Sequence, residues 1–283
     1  QGKLEHIHLF VSRNKVFDKE DVLQETIIIK VRKTEKVPQS VMITSSKSNN
    51  DFEDLTSLLV PYDLVVSGKD YYVYLVTNEE EVQVLEQLHK FDKTLPDIGV
   101  KMKTGLTVDF RNRDILRDTE EEGAIPLFYS QHIKQGKVQF PIQKEHEYVV
   151  TDQKGLMQEN RNYLFVKRFT AKEEHRRLQC GVYLAKNYPQ YSKISTQNKI
   201  NFIDGLLHEM SECLVYGLYV IFNSTLYDEY YRILNGSTQV NSTEINAMPV
   251  PDLESIQEMG RKLMKSKDLS EKNCNLILEG YCG

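Results

Sequence analysis

The side chains in this sequence that are best placed for chemistry form a basic cluster near its middle. Lys167 and Arg168 end the segment NYLFVKRF, and three more cations follow them, at Lys172, Arg176 and Arg177. As a strand, this segment would place Lys167 and Phe169 on one face and Arg168 on the other. Guanidinium groups can bind guanine or phosphate through two hydrogen bonds, whereas ammonium groups suit phosphate alone. The cluster predicts contact with a nucleic acid, and a solvated hairpin turn is the alternative.

A second polar group is the run NGSTQVN at 235–241. Asn235 and Gly236 predict the end of a helix and a turn. The side chains that follow could donate or accept hydrogen bonds in a groove of a nucleic acid: Ser237, Thr238, Gln239 and Asn241. Gln and Asn can also bind adenine through two hydrogen bonds. Capping and turn formation would explain the same residues, so both interpretations stay open.

The sequence lacks the motifs of several common enzyme classes. GxGxxG, the P-loop, HExxH and GxSxG do not occur in it. His6 and His8 share a strand face without a carboxylate or cysteine beside them, so no metal site is predicted. The four cysteines lack CxxC spacing and predict reduced thiols: Cys180, Cys213, Cys274 and Cys282. These rules alone indicate a β-rich binding module with a basic middle.

The composition is ordinary for a soluble globular protein, with 40% hydrophobic and 27% charged residues. The net charge of −5 hides an uneven distribution, because residues 131–200 carry 13 Lys and Arg against 6 Asp and Glu. A positive middle can present a phosphate-binding face, or form a solvated patch. No apolar run is long enough to span a membrane, and the first residues, QGKLEHIHLF, do not form a signal peptide. We therefore expect a cytoplasmic protein without membrane contact.

The first third of the chain predicts strands and one helix. HIHLFV at 6–11 and VLQETIIIKV at 22–31 are rich in β-branched residues, and the second predicts a strand buried on one face. Residues 79–91 predict an amphipathic helix, because their apolar side chains share one face: Val82, Leu85 and Leu88.

In the middle third, short apolar runs broken by Gly, Pro and Asn predict an irregular antiparallel β-domain. The last third predicts a buried helix at 214–224, a second helix capped by Thr225 and Asp228, and a last helix spanning Leu253–Lys265. We expect residues 267–283 to be loosely held. Four aromatic residues of this region are expected in the core: Phe222, Tyr227, Tyr230 and Tyr231.

Four segments of the chain are similar to one enzyme family. Residues 223–251, NSTLYDEYYRILNGSTQVNSTEINAMPVP, and residues 162–185, NYLFVKRFTAKEEHRRLQCGVYLA, resemble the C-terminal part of the adenine-N6 DNA methyltransferases of type II restriction-modification systems. The PstI-like members of the gamma group resemble the chain most. VFDKEDVLQETIIIKVRK at 16–33 resembles the hairpin called motif VIII. GAIPLFYSQHIKQGKVQFP at 123–141 is similar to the entry strand of the recognition domain in TaqI-like members.

The resemblance implies an α+β fold in two parts. Residues 1–95 would be a remnant of a Rossmann-like methyltransferase sheet with the motif VIII hairpin. Residues 96–283 would be a β-rich target-recognition domain closed by C-terminal helices. The parent enzyme would bind double-stranded DNA and transfer a methyl group from S-adenosylmethionine to adenine N6 in a short sequence.

Phe17 occupies the position of the motif VIII aromatic residue, which in the family stacks on the adenine after the base leaves the duplex. Methylation of N6 requires the base outside the stack, and a flat ring can receive its π-face. The resemblance thus assigns Phe17 to the catalytic site, while Lys15 and Lys19 could hold neighbouring phosphates. A Phe that packs the hairpin is the alternative.

The family's glycine-rich S-adenosylmethionine loop and Asn/Asp-Pro-Pro-Tyr motif do not occur in the chain. We therefore expect a fragment that, alone, neither binds the cofactor nor methylates DNA. A stand-alone specificity subunit, part of a fused restriction-modification polypeptide, and a structural role without DNA contact are the alternatives. The motif VIII segment counts against the first of these, because a specificity subunit has no need of it.

Overall fold

The computed structural model describes residues 2–12, 15–16, 26–68 and 71–282. The fold is α+β, as predicted, and the chain divides into two compact units. Unit 1 is Gln1–Lys90 with Arg232–Gly236, and unit 2 is Phe91–Tyr231 with Ser237–Gly283. Within the described ranges, no helix is both long and apolar enough to cross a bilayer.

Unit 1 is built on a four-stranded sheet. Its strands are β1 (Gly2–Phe10), β2 (Thr26–Lys33), β3 (Ser40–Ser46) and β4 (Thr56–Pro61). Their order is β2-β1-β3-β4, with β1 parallel to β3 and the other two pairs antiparallel. The unit continues with α1 (Tyr62–Val65), β5 (Val66–Ser67), β6 (Tyr72–Val73) and α2 (Glu79–Leu88). Branched side chains of the central strands form its core, among them Ile7, Val41 and Ile43.

Helix α2 confirms the predicted apolar face, because Val82, Leu85 and Leu88 are all buried. Its first turn is fixed by Asn78, whose side-chain oxygen accepts a hydrogen bond from the backbone of Glu81 at 2.8 Å. The helix ends at Leu88, three residues before the predicted end at 91.

Strand β2 corrects the prediction of a strand buried on one face. All its residues from Ile27 to Lys33 are exposed, and Ile28 exposes 57% of its surface. β2 lies at the edge of the described sheet and pairs with β1. The apolar pattern identified the strand correctly, but nothing among the described residues of unit 1 covers either face of it.

Unit 2 begins with two sheets whose facing sides share an aromatic core. Its strands are β7 (Val100–Thr104), β8 (Leu116–Arg117), β9 (Ile125–Phe128), β10 (Ile133–Lys134), β11 (Lys137–Val138), β12 (Tyr148–Val149), β13 (Gln158–Glu159), β14 (Tyr163–Lys167), β15 (Cys180–Tyr183), β16 (Lys193–Thr196) and β17 (Ile200–Gly205). One sheet has the order β10-β11-β15-β14-β17-β7 and the other β13-β16-β9-β12-β8. Most pairs are antiparallel, as predicted, but β11–β15 and β9–β16 are parallel.

The aromatic core draws side chains from both sheets, including Phe128 of β9, Phe165 of β14 and Tyr183 of β15. The rings of Phe165 and Tyr183 stack with centroids 5.2 Å apart, and Tyr188 also stacks on Tyr183, at 5.2 Å. Aromatic pairs of this kind contribute beyond the burial of their area. This core gives the short, irregular strands a common packing surface.

The helices that follow are α3 (Glu212–Phe222), α4 (Thr225–Leu234), α5 (Ser242–Ala247), α6 (Leu253–Ser266) and α7 (Glu271–Glu279). The predicted buried helix and last helix correspond to α3 and α6, and the four predicted core aromatics are buried. α3 and α6 cross at two glycines. A Cβ on Gly217 would lie 1.9 Å from the carbonyl oxygen of Ile256, and one on Gly260 would lie 1.8 Å from that of Cys213. Only glycine permits so close a crossing.

Two predictions about these helices are wrong. Thr225 and Asp228 do not form a capping box; instead, the Ser224 hydroxyl accepts from the backbone of Tyr227 at 3.4 Å. The carboxylate of Asp228 accepts from the backbone N–H groups of Arg177 and Leu178. Residues 267–283, expected to be loosely held, contain α7, whose Cys274 and Leu278 are buried one turn apart.

A buried histidine in unit 2 has a fixed tautomer. His132 Nδ1 accepts from the backbone N–H of Tyr129 at 2.8 Å, so the proton lies on Nε2, 2.7 Å from Glu147 Oε1. The same carboxylate oxygen accepts from the backbone of Ile142 at 2.9 Å. Burial lowers the pKa of His132, which outweighs the opposite effect of Glu147. Protonation of Nδ1 would remove the bond from Tyr129 N, although Nδ1 could then donate to Tyr129 O at 3.2 Å.

We expect the stability of unit 2 to fall as the pH drops below about 6.5, the ordinary value for histidine. The pKa of His132 is lower in the folded chain than in the unfolded chain, so the unfolded chain binds the additional proton first. NMR titration of the His132 ring should show a midpoint below that of an exposed histidine. His132→Gln, which can still accept from Tyr129 and donate to Glu147, should make thermal stability less dependent on pH. A His132 ring that titrates at or above the ordinary value would contradict this.

Candidate functional site

The basic cluster and the polar run 237–241 lie side by side in unit 2. Beyond Lys167 the backbone continues from β14 and pairs with the polar run, so that Phe169 lies opposite Gln239 in an antiparallel bridge. Thr170 N donates to Thr238 O at 3.1 Å, and Val240 N donates to Arg168 O at 2.7 Å. Two segments that the sequence singled out separately, 70 residues apart, therefore form one continuous edge, which we call the 168/239 edge.

Arg168 is held at this edge by several contacts of its guanidinium group. Its Nη1 donates to the carbonyl oxygen of Asn198 at 2.9 Å. The amide oxygen of Gln239, in the orientation that satisfies both ends of the amide, accepts from Nε of Arg168 at 2.9 Å and also from Nη2. The guanidinium carbon lies 5.5 Å from the centroid of the Phe169 ring. These contacts hold a half-exposed guanidinium in one orientation, which suits recognition of a planar acceptor pair.

The structure contradicts the prediction that Arg177 contacts DNA. It is completely buried, with 0% exposure. Its Nη2 donates to Ser237 O at 2.7 Å and its Nε to Thr170 Oγ1 at 3.3 Å, while the guanidinium carbon lies 5.4 Å from the centroid of the Tyr231 ring. The side chain hydrogen-bonds to the polar run from inside the unit, and it is not accessible to a phosphate.

Arg176 is also turned inward, with only 12% of its side chain exposed. Its Nη2 donates to the carbonyl oxygens of Phe222 and Ser224, at the C-terminal end of α3, and its Nη1 lies 3.0 Å from Glu271 Oε1. A cation at this end of a helix offsets the partial negative charge of the carbonyls. Arg176 therefore stabilises the helical part of unit 2, contrary to the prediction of a DNA contact.

The other predicted cations remain near the surface. Lys167 donates from Nζ to the side-chain oxygen of Gln179 at 2.8 Å, and Lys172 is half-buried. Two exposed cations near this edge were missed by the sequence reasoning. Lys199 is exposed and its carbonyl oxygen accepts from Arg168 N, and Arg111 is exposed beyond Thr107, whose carbonyl accepts from Asn198 N. Lys199 precedes β17 and Arg111 ends a short 3-10 turn, and no local sequence pattern connects them with Arg168.

The polar run makes several hydrogen bonds of its own, and Ser237 Oγ both donates to Gln239 O and accepts from Gln239 N, each at 3.2 Å. The hydroxyl of Tyr231 accepts from Asn241 N at 2.9 Å, and Asn241 Oδ1 accepts from Thr243 N, which caps α5. The capping alternative thus holds for Asn241. Ser237 and Thr238 are exposed, and Gln239 is half-exposed beside Arg168. The contact of this run with a nucleic acid stays a prediction for these three residues.

Unit 1 has a second candidate site, at the carboxyl ends of its parallel strands β1 and β3. His8, in β1, lies 2.9 Å from Thr44 Oγ1 through Nδ1 and 3.2 Å from Ser46 Oγ through Nε2. Burial lowers the pKa of His8, and the exposed ring of Phe52 lies 5.5 Å from its own. Ligands of open sheets of this type bind outside the carboxyl ends of such strands.

Strand β1 ends at Phe10, which pairs with Thr26 of β2. Lys15 is exposed. Phe17 and Lys19 lie outside the described residues. In the part of the chain that is described, no group of three or more His, Cys, Asp and Glu side chains could hold a metal ion.

Comparison with known proteins relates the chain to DNA methyltransferases. It is 34% identical over 269 residues to the type II methyltransferase M.PstI of Providencia stuartii, covering 92% of this chain and 52% of that protein. It is 32% identical over 268 residues to M.BsuBI of Bacillus subtilis, covering 93% and 53%. The chain therefore spans about half the length of the relatives it matches. No protein-family profile matches it.

Among solved structures, the type IIL restriction-modification enzyme MmeI in complex with DNA aligns with a TM-score of 0.49 and 11% identity. The alignment covers 99% of this chain and 43% of that one.

Proposed function

Nearly the whole of this chain belongs to the family of the type II methyltransferases M.PstI and M.BsuBI, and from that premise we propose that it forms the C-terminal portion of a site-specific DNA adenine-N6 methyltransferase. Unit 1 contributes the last strands of a Rossmann-like catalytic sheet, and unit 2 is the target-recognition domain. The methyl donor of the full-length enzyme is S-adenosylmethionine, which this chain alone does not bind.

The sheet of unit 1 supports the first assignment. A parallel pair beside an antiparallel edge strand is common at the margin of large α/β sheets. Both faces of β2 are exposed although the strand carries Ile27, Ile28, Ile29 and Val31. A long apolar strand at the edge of a sheet invites aggregation unless another part of the protein covers it. We propose that the catalytic half of the parent enzyme covers β2.

Phe17, with Lys15 and Lys19 beside it, is our proposed contact with the extruded adenine and its phosphates. Phe17 follows β1 in the sequence, seven residues after the strand ends at Phe10. An aromatic ring at this position would stack on the flipped base while the rest of the enzyme delivers the methyl group.

The observation that carries the recognition role is the 168/239 edge. It combines an oriented guanidinium, a half-exposed amide and two exposed hydroxyls, which are the groups that contact bases and phosphates in DNA complexes. The test is to express the full-length protein in a host without DNA methylation and to sequence its genomic DNA by a method that detects modified bases. We expect N6-methyladenine within one short sequence. Unmodified DNA, or methylated cytosine, would overturn the proposal.

The affinity for DNA should depend on the cations of this edge. Changing Lys167, Arg168, Lys172 and Lys199 together to Gln should flatten the log–log dependence of affinity on salt by roughly two to four units, because each lost phosphate contact removes about 0.9. Fluorescence anisotropy at several salt concentrations measures the slope.

A matched control removes the same charge elsewhere. Arg261, Lys265, Lys267 and Lys272 are exposed on or beside α6 and α7. Changing these four to Gln should leave the slope nearly unaltered. If both sets of substitutions flatten the slope equally, the basic cluster is a solvated surface that affects DNA binding only through its overall charge.

A further inference from the structure

Phe169 is a large apolar side chain held at the surface of unit 2, where 49% of it is exposed. Its backbone is fixed on both sides, because Thr170 N donates to Thr238 O and Val240 N donates to Arg168 O. The residue itself pairs with Gln239. The ring therefore projects from paired backbone, in a defined direction, and its exposure does not follow from a loose loop.

The surroundings of the ring are cationic. The guanidinium carbon of Arg168 lies 5.5 Å from the ring centroid, and the exposed Lys199 is joined to Arg168 through its carbonyl oxygen. In protein–protein interfaces lysine is depleted, although arginine and aromatic rings are enriched, so the exposed Lys199 next to Arg168 argues against a protein partner. An apolar ring beside cations suits a nucleic acid, which presents stacked bases between two rows of phosphates.

We propose that Phe169 is a wedge that enters a base step of the bound DNA, while Arg168 and Lys199 contact the flanking phosphates. The inference rests on the proposed function, since it requires DNA at the 168/239 edge. Apolar side chains inserted between base pairs partly unstack them and kink the duplex by roughly 20–90°. A base beside an unstacked step is also easier to extrude, because part of its stacking is already lost.

The test uses the full-length protein and a duplex that contains its own methylation site. The duplex carries 2-aminopurine, in turn, at each position other than the target adenine, and a pair of dyes at its ends. With the wild-type protein we expect increased 2-aminopurine fluorescence at one step, where stacking is lost, and a shorter distance between the dyes. Phe169→Ala should abolish both changes and weaken binding roughly five- to hundredfold. Phe169→Leu should retain part of the kink, since leucine also acts as a wedge.

Leu207→Ala is the matched control. Leu207 is 87% exposed and follows β17 at the end opposite to Lys199, so its loss should leave binding and bending unchanged. Thermal melts should show Phe169→Ala folded as the wild type is. Unchanged affinity, bending and 2-aminopurine fluorescence in Phe169→Ala would overturn the wedge while leaving the proposed function intact. A wild-type protein that neither binds the duplex nor methylates it would overturn the proposed function, and the wedge with it.

Discussion

Replacing Arg177 with alanine is expected to lower the melting temperature of this chain by roughly 6–12 °C, at about 2–4 °C per kcal/mol for a chain of this size. The side chain is completely buried and supplies hydrogen bonds to Ser237 O and Thr170 Oγ1. Its loss leaves buried acceptors unpaired, at about 1–3 kcal/mol each, and opens a cavity. We therefore expect a total loss of about 3 kcal/mol, measured by thermal melts followed by circular dichroism.

Two further variants separate the causes. Arg177→Met fills most of the cavity but restores no hydrogen bond, so it should recover part of the stability and no more. Arg168→Ala removes a half-exposed arginine of the same cluster and should cost about 1 kcal/mol or less. DNA binding should respond in the opposite order, with Arg168→Ala the more damaging at temperatures where both variants are folded. If Arg177→Ala melts with the wild type, the buried role assigned to Arg177 is wrong.

The contrast between these two arginines marks the limit of the sequence reasoning. Both belong to one run of cations, and charge density alone gives them equal claim to a phosphate. What separates them is non-local: Asp228 binds the backbone of Arg177 and turns its side chain beneath the polar run, whereas Arg168 lies where the backbone continues from β14 and meets Gln239. No periodicity in the chain encodes either contact.

Local sequence patterns predicted the elements whose structure depends mainly on residues near in sequence. The helices α2, α3 and α6 follow from the apolar residues of their segments, because a helix satisfies its own backbone and needs only a covered apolar surface. The crossing of α3 and α6 at Gly217 and Gly260 depends on two segments that approach in space. A single glycine in a helix does not predict such a crossing. The prediction that β2 has a buried face failed for a related reason. Its apolar residues indicate burial but do not indicate which segment would cover them.

The largest effect on activity is expected at Phe17, in the full-length enzyme. If its ring receives the extruded adenine, as we propose, Phe17→Ala removes a stacking interaction of about 1–3 kcal/mol. That should lower kcat/KM by roughly tenfold to a hundredfold, since about 1.4 kcal/mol corresponds to a factor of ten. Phe17→Trp should retain much of the activity, because a larger flat ring can still stack. Methyl transfer to a duplex with the enzyme's own site measures both.

The alternative, a Phe that packs the hairpin, predicts a different combination of results. Loss of a core Phe costs about 3–5 kcal/mol of stability, so a packing role would lower the melting temperature strongly in Phe17→Ala. A stacking role would leave the melting temperature nearly unchanged and alter the fluorescence of 2-aminopurine placed at the target adenine, because an extruded base without its ring partner lies in a different environment. Tyr71→Ala is the matched control, since Tyr71 is an exposed aromatic residue of unit 1 that belongs to neither candidate site. Normal turnover combined with a large loss of stability in Phe17→Ala would assign the residue to packing, and loss of turnover in Phe17→Ala but not in Tyr71→Ala, with stability retained, would assign it to the flipped base.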